Sequence, residues 1–131
     1  MAKPAQEREV TLSELQLAVV RVLWERGAVT TAEVQSALAP ERNLAHTTVA
    51  TLLTRLEKRG VVASRRDGRQ LIYRALVTES DVRRSMVSGL ISSLFQGDPQ
   101  ALVTHLVQES EIRPGDIERM RKLLDEDDQH D

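Results

Sequence analysis

Residues 44–60 read LAHTTVATLLTRLEKRG, and this stretch decides the fold of the chain. Its apolar residues recur at helical spacing and form one stripe of a helix predicted over 44–59: Val49, Leu52, Leu53 and Leu56. Gly60 follows at the position where helices commonly end on a left-handed residue. Since most helical stability comes from packing of the apolar stripe, the neighbouring sequence must supply the partners.

Two helices are predicted on the N-terminal side of this segment. Ser13 with Gln16 forms a capping box, and the apolar spacing that follows gives a helix over 14–26. Thr30 with Glu33 forms a second capping box, which begins a short helix that a proline ends. These two helices are expected to cover the apolar stripe of the third.

Two β-prone runs follow the third helix, over 61–66 and 69–76. Asp67-Gly68 stands between them and is a strong signal for a two-residue hairpin turn. Three helices followed by a hairpin are typical of a winged helix-turn-helix. The predicted fold class is therefore mainly α with a small β-hairpin.

Three further helices are predicted after the hairpin. Thr78 with Asp81 begins a long fourth helix, Asp98-Pro99 begins the fifth, and Pro114 begins the sixth. Their apolar faces are too extensive to cover one another in so small a lobe, so pairing with a second copy as a homodimer is expected. The predicted dimer contacts are Val82, Met86, Leu90, Leu94, Leu102, Leu106, Ile117, Met120 and Leu124.

The net charge of −2 is the sum of a positive charge on the first part of the chain and a negative charge on the second. Residues 1–77 carry 12 Lys and Arg against 8 Asp and Glu, a net charge of +4, and 78–131 carry 6 against 12, a net charge of −6. We therefore predict a basic winged-helix domain over 1–77 and a helical dimerisation domain over 78–131, which ends in a frayed acidic tail over 125–131. A basic lobe of this kind indicates a polyanionic partner.

Composition excludes several classes of protein. The chain has no cysteine, which removes disulfides, thiolate zinc sites and cysteine nucleophiles. No apolar run approaches a membrane span and the N-terminus is polar, so a cytoplasmic protein without membrane insertion is expected. The histidines are isolated, and no nucleophile elbow, phosphate-binding loop or carboxylate pair is present, so we expect no enzyme activity, metal or cofactor.

The outer face of the third helix carries hydroxyl and cationic side chains: Thr47, Thr48, Thr51, Thr54, Arg55 and Lys58. Thr can hydrogen-bond base edges or phosphates and touch a thymine methyl, while Arg55 is long enough to reach a guanine or a phosphate. Because Thr is a poor helix former, four of them on a simply solvated face would be unusual. Double-stranded DNA is the predicted partner, and a tolerated solvated surface is the alternative.

The hairpin tip carries three cations, Arg65, Arg66 and Arg69, which are predicted to meet the phosphate backbone beside the groove that the third helix enters. The alternative is an ordinary charged edge strand that resists aggregation. A turn at Asp67-Gly68 would set Arg66 opposite Arg69, and these like charges would repel. A phosphate partner would relieve that repulsion.

Two other functions compete with DNA binding by a repressor. The first is a winged-helix module that binds protein through the same surface, which a salt-sensitive gel shift with duplex DNA would separate from the main hypothesis. The second is a regulator of unrelated genes that responds to a small ligand in its second lobe. That lobe is short and offers no evident polar pocket residues.

Four segments resemble the penicillinase-repressor family of BlaI/MecI type: 22–27 (VLWERG), 30–34 (TTAEV), 47–60 (TTVATLLTRLEKRG) and 67–69 (DGR). The resemblance runs in order over roughly residues 10–125. It implies a homodimer with its N-terminal winged helix on DNA and its C-terminal helices in the dimer interface. It also implies repression of β-lactam resistance genes or of other cell-envelope responses.

The resemblance carries over to individual residues as well. The family's pattern of Thr, Thr and Arg falls on Thr48, Thr51 and Arg55, and its wing cations fall near Arg65, Arg66 and Arg69. Some members are inactivated when a membrane sensor-transducer peptidase triggers a cut in the fifth helix, at a bond that aligns with His105-Leu106.

The chain departs from the family pattern at several positions. Well-studied members have Lys at the position of Thr47, often Arg or Gln at Ala50, and Asn-Phe at the cleaved bond. The resemblance therefore implies only an inverted-repeat operator of TACA/TGTA-like type. Copper-responsive relatives carry a cysteine cluster, so copper sensing by that route is excluded.

Overall fold

The computed structural model describes residues 9–109 and 112–129. The chain divides into two units between Val87 and Ser88, and each is described by itself. The elements follow in the order α1 (Glu14–Arg26), β1 (Val29–Thr30), α2 (Thr31–Leu38), α3 (His46–Lys58), β2 (Val62–Asp67), β3 (Gln70–Ala75), α4 (Glu79–Leu94), α5 (Pro99–Gln108) and α6 (Pro114–Gln129). The predicted fold class is confirmed.

The capping boxes predicted for the first two helices are both present. Ser13 Oγ accepts from the Gln16 backbone N at 3.1 Å, and Gln16 Oε1 accepts from the Ser13 backbone N at 3.0 Å. Thr30 and Glu33 make the same reciprocal pair at 3.2 and 3.3 Å. Because a cap of this kind contributes about 1 kcal/mol, the two helices begin where the sequence predicts.

The apolar stripe of α3 lies at the centre of the first unit. Val49, Leu53 and Leu56 are 0% exposed, and Leu52 packs at the margin. Burial of each leucine contributes about 1.5–3 kcal/mol, so the stripe determines which side of α3 faces inward. Around it lie residues of α1, α2, the sheet and the residue before β2: Val19, Val20, Leu23, Val34, Val62, Tyr73 and Val61.

The sheet has three antiparallel strands in the order β1-β3-β2. β1 has only two residues, Val29 and Thr30, which pair with Tyr73 and Ile72 of β3. The sequence pattern predicted only the hairpin, because two residues are too few to show a period. β2 forms an edge of the sheet.

The hairpin turn lies one residue further along the chain than predicted. Asp67 pairs with Gln70, so Gly68 and Arg69 form the two-residue turn. Gly68 has a φ of 64°, which suits glycine at the first central position of a type II′ turn. The prediction of an Asp67-Gly68 turn was wrong by one residue, because Asp67 is the last residue of β2 and is paired with Gln70.

The first turns of α4 belong to the first unit. Val82 is 2% exposed and lies in the core, and Trp24 Nε1 donates to the Val77 carbonyl oxygen at 2.9 Å. Met86 packs against the same core. The unit therefore extends to Val87, beyond the boundary at Val77 that the sequence suggested. The assignment of Val82 to a dimer interface is corrected, because its side chain is already buried within one chain.

The second unit contains the rest of α4 with α5 and α6. As predicted, Asp98 caps α5, and its Oδ1 accepts from the Gln100 backbone N at 3.0 Å. α6 continues to Gln129, so residues 125–129 of the expected acidic tail belong to this helix, where no proline or glycine stops it. Residues 130–131 lie outside the described residues. Within 9–109 and 112–129, no helix is long and apolar enough to cross a membrane.

We expect Leu53→Ala to lower the free energy of unfolding by about 2–5 kcal/mol, because it leaves a cavity in the centre of the core. Thr51→Ala, on the exposed side of the same helix, is the matched control and should change the free energy by less than about 0.5 kcal/mol. Urea unfolding followed by circular dichroism measures both. Equal losses for the two variants would contradict the inward orientation of the stripe.

Candidate nucleic-acid interface

The outer face of α3 lies opposite the buried stripe and is open to solvent. All six side chains predicted there are exposed: Thr47, Thr48, Thr51, Thr54, Arg55 and Lys58. Four of them follow one another at spacings of three or four residues and form the α3 row: Thr47, Thr51, Arg55 and Lys58. The row combines hydroxyl and methyl groups at its start with two cations at its end.

Thr54 differs from the α3 row because its hydroxyl has partners inside the protein. Its Oγ1 donates to the Ala50 carbonyl oxygen at 2.9 Å, and its side chain hydrogen-bonds the hydroxyl of Tyr73. The methyl group is the part of this exposed side chain that makes no hydrogen bond. Helical periodicity placed Thr54 on this face but did not predict these bonds.

The wing cations do not share one face of the hairpin. Successive side chains of a strand point to opposite faces. Arg66 lies opposite Leu71, on the face that carries the buried Tyr73, whereas Arg65 lies opposite Ile72 on the other face. The hairpin therefore presents its two adjacent arginines in different directions.

Arg69 lies in the turn itself, next to Gly68. The prediction that Arg66 faces Arg69 across the hairpin was wrong, because the turn begins one residue later and Leu71 takes the opposing position. Repulsion between those two arginines therefore gives no support for a phosphate partner. The support has to come from the charges that surround the wing.

The cations of α3 and the wing are without carboxylate partners in the part of the chain that the structure describes. Its four ion pairs join other residues, such as Arg42 with Glu14 at 2.9 Å and Arg84 with Asp81 at 2.8 Å. The cations left without a carboxylate partner there are Arg55, Lys58, Arg65, Arg66 and Arg69. Five exposed cations on neighbouring elements attract a polyanion.

A groove of about 380 Å³ lies between the start of α2, α3 and the wing. Its lining includes Thr31, His46, Ala50, Arg69 and Gln70, together with Tyr73 at its base. Thr31 and Gln70 were not among the residues that the sequence predicted for the site. Thr31 could have been found from its place in the first turn of α2, where backbone N–H groups favour anions, but Gln70 required the hairpin register.

The surface offers hydroxyl and cationic groups on a helix and a hairpin. Hydroxyls and cations on a helix bind base edges and phosphates by hydrogen bonding and charge. Among residues 9–109 and 112–129, no group of three or more His, Asp or Glu side chains is placed to hold a metal ion.

The remaining predicted dimer contacts lie mostly in the second unit. Leu94 is 67% exposed and Leu124 is 65% exposed. Leu90, Ile117 and Met120 are also exposed, while Leu102 and Leu106 are half-buried. His105, of the predicted cleavage pair, is exposed in α5, and its ring centroid lies 5.9 Å from that of Phe95.

The family described as Penicillinase repressor matches residues 12–126. This match spans α1 to α5 and all but the last three residues of α6. The chain belongs to the penicillinase repressor family. Like the other members, this penicillinase repressor family protein is a DNA-binding repressor and not an enzyme.

Relatives of known name agree with this assignment. The chain is similar to the methicillin resistance regulatory protein MecI of Mammaliicoccus sciuri, with 25% identity over 113 residues, 86% of this chain and 92% of that protein. It is similar to the penicillinase repressor of Bacillus licheniformis, with 24% identity over 115 residues, 88% of this chain and 90% of that protein. The solution structure of the DNA binding domain of the repressor BlaI matches with a TM-score of 0.50 and 29% identity, over 61% of this chain and 93% of that one.

The pKa of Tyr73 depends on the surroundings of its hydroxyl at the base of the groove. It is the one tyrosine of the chain and is 4% exposed. Burial raises the pKa of its hydroxyl above 10.0, the negative charge of Glu57 raises it further, and the hydrogen bond with Thr54 lowers it. The net effect keeps the hydroxyl protonated to a higher pH than in the unfolded chain.

We expect the tyrosinate absorbance of the folded protein to appear at higher pH than in concentrated urea, where the pKa is about 10. Between these two pKa values only the unfolded state loses the proton, so stability falls as the pH rises above about 10. Glu57→Gln should lower the folded midpoint, and Tyr73→Phe should remove this alkaline loss of stability. A folded midpoint at or below the midpoint in urea would contradict the described surroundings of Tyr73.

Proposed function

We propose that this repressor acts as a homodimer on an inverted-repeat operator in the cytoplasm, where it represses genes of β-lactam resistance or of another cell-envelope response. The observation that carries the proposal is the exposed α3 row, whose two cations have no carboxylate partner among the described residues. The major groove of B-DNA admits an α-helix of this kind.

The proposal gives different roles to α3 and to the wing. Thr48, Thr51 and Arg55 read base edges in the major groove, where Thr contacts thymine methyls and Arg55 contacts guanine. Lys58 and the wing arginines contact phosphate, which fixes the position of the protein but carries no sequence information. Thr47, in the first turn of α3, contacts phosphate or bases.

The apolar surface of the second unit supports a dimer. Side chains such as Leu94 and Leu124 are mostly exposed in a single chain, and apolar surface of this extent is stabilised when a second copy covers it. A two-fold dimer presents the α3 helices of both copies to one side of DNA. Half-site centres of the operator would then lie about 10 base pairs, or a multiple of that, apart.

The names of the relatives support the choice of target genes, since MecI is named as a regulator of methicillin resistance and the Bacillus licheniformis protein as a repressor of penicillinase. We further propose that a membrane sensor-transducer peptidase relieves repression through a cut at His105-Leu106. That bond lies inside α5, so the helix has to open locally before a peptidase can bind its backbone.

We expect Arg55→Ala to weaken operator binding by about 1–3 kcal/mol while leaving affinity for random duplex DNA nearly unchanged, because its guanidinium reads a base. The double variant Arg66→Ala/Arg69→Ala should weaken both kinds of DNA binding and lower the salt slope by about 0.9 for each phosphate that the wing no longer neutralises. Fluorescence anisotropy over a series of salt concentrations measures both. The operator is first identified by sequencing the genomic fragments that the purified protein binds.

The matched control for these variants is Arg21→Ala, which removes an exposed cation from α1. If Arg55→Ala loses operator and random-duplex affinity by the same factor, Arg55 is a phosphate contact and base reading belongs to Thr48 and Thr51. If the wild-type protein shows no salt-dependent binding to any duplex, the proposed function is wrong.

We expect the wild-type protein to be a dimer at micromolar concentration and Leu94→Glu to weaken dimerisation about 100-fold, because burial of an unpaired charge costs roughly 3 kcal/mol. Thr104→Glu places the same charge at an exposed position of α5 and should leave the dimer intact. Light scattering over a dilution series measures both. A stable monomeric wild type would contradict the dimer.

A further inference from the structure

Glu57 joins the last turn of α3 to the first half of β2. Its Oε2 accepts from the backbone N of Ser64 at 2.9 Å and from Ser64 Oγ at 2.5 Å. One carboxylate oxygen therefore holds both the main chain and the side chain of the strand. These bonds form a direct polar link between the recognition helix and the wing.

The position of Ser64 in the sheet explains why its N–H is available. β2 is an edge strand whose only neighbour in the described sheet is β3. Ser64 lies opposite Tyr73 in that pair, yet its N–H donates to Glu57 and so points to the open edge. Glu57 satisfies a backbone donor that the sheet itself leaves without a strand partner.

The charge of Glu57 is unfavourable for DNA binding on its own. It lies between Arg55 and Lys58 on a helix whose exposed row carries the DNA-facing cations, and a carboxylate there repels phosphate. Its field also reaches the groove, because it raises the pKa of Tyr73. A carboxylate without protein partners at this position would only weaken DNA binding. The hydrogen bonds of Glu57 to Ser64 therefore indicate a structural role that offsets its repulsion of phosphate.

We infer that Glu57 is a positioning residue that holds the wing at a fixed distance from α3, so that Arg55 and Arg66 contact the same DNA together. Ser64 and Arg66 stand two positions apart on β2, on the same face of the strand, so the link holds the strand within two residues of the cation. The inference rests on the proposed function, since it concerns how two DNA-binding elements act at once.

The first test uses the free protein. Glu57→Gln keeps a side-chain oxygen that can accept from the Ser64 amide, whereas Glu57→Ala removes the acceptor. We expect hydrogen exchange at the Ser64 amide, followed by NMR, to be at least tenfold faster in Glu57→Ala than in wild type and to stay within about threefold in Glu57→Gln. Equal exchange in all three proteins would overturn the link without any reference to DNA.

The second test measures operator and random-duplex binding of the same variants over a series of salt concentrations. If Glu57 acts only through its charge, Glu57→Gln and Glu57→Ala bind operator equally and more tightly than wild type. If it positions the wing, Glu57→Ala binds operator about tenfold more weakly than Glu57→Gln. The salt slope of Glu57→Ala is also smaller than that of Glu57→Gln, by about 0.9 for each phosphate that the displaced wing no longer reaches.

Glu25→Ala, which removes an exposed glutamate from α1, is the control for removal of negative charge and should leave the salt slope unchanged. Urea midpoints show whether each variant keeps its fold, and Ser64→Ala, which keeps the amide and removes the hydroxyl bond, should give an intermediate loss of affinity. Equal operator affinities and slopes for Glu57→Gln and Glu57→Ala overturn the inference. Failure of wild type to bind any duplex overturns the proposed function instead, and the exchange result still decides the link itself.

Discussion

Burial of the apolar stripe of α3 is the constraint on which the rest of the structure depends. Val49, Leu53 and Leu56 are wholly enclosed, so the helix cannot rotate about its axis without exposing leucine and burying threonine. Because successive helical residues are about 100° apart, the enclosed side determines which residues face outward. The exposed α3 row is therefore a geometric consequence of the core, and a change in the core would redirect the row.

Much of the fold could be predicted because its signals are local in sequence. Capping residues and apolar spacing lie within one or two turns of the element they specify, so the starts of α1, α2 and α5 agree with the prediction. The hairpin register, the strand β1 and the place of Val82 were not predicted. β1 and Val82 depend on partners distant in sequence, as Val82 does on the core built by the first three helices, whereas the hairpin register depends on which two residues occupy the tight turn.

The candidate site likewise combines features that the local sequence predicts with features that only the fold shows. Helical periodicity was sufficient to place the α3 row on the surface, since exposure follows from the apolar stripe. It could not show that Thr54 is bonded to Ala50 and Tyr73, or that Glu57 reaches Ser64. Glu57 has the sequence context of any surface glutamate, and only the fold brings β2 beside it. The one-residue error in the turn changed each pairing across the hairpin by two residues, so Leu71 and not Arg69 lies opposite Arg66.

The bond between Trp24 and the Val77 carbonyl has a practical consequence. Trp24 is the one tryptophan of the chain, and its half-buried indole donates to Val77, two residues before the start of α4. Indole emission responds to the polarity around the ring and to the partner of its N–H group. The intrinsic fluorescence of the unlabelled protein therefore reports whether the start of α4 remains packed against α1. It can be measured in solution and during stopped-flow mixing.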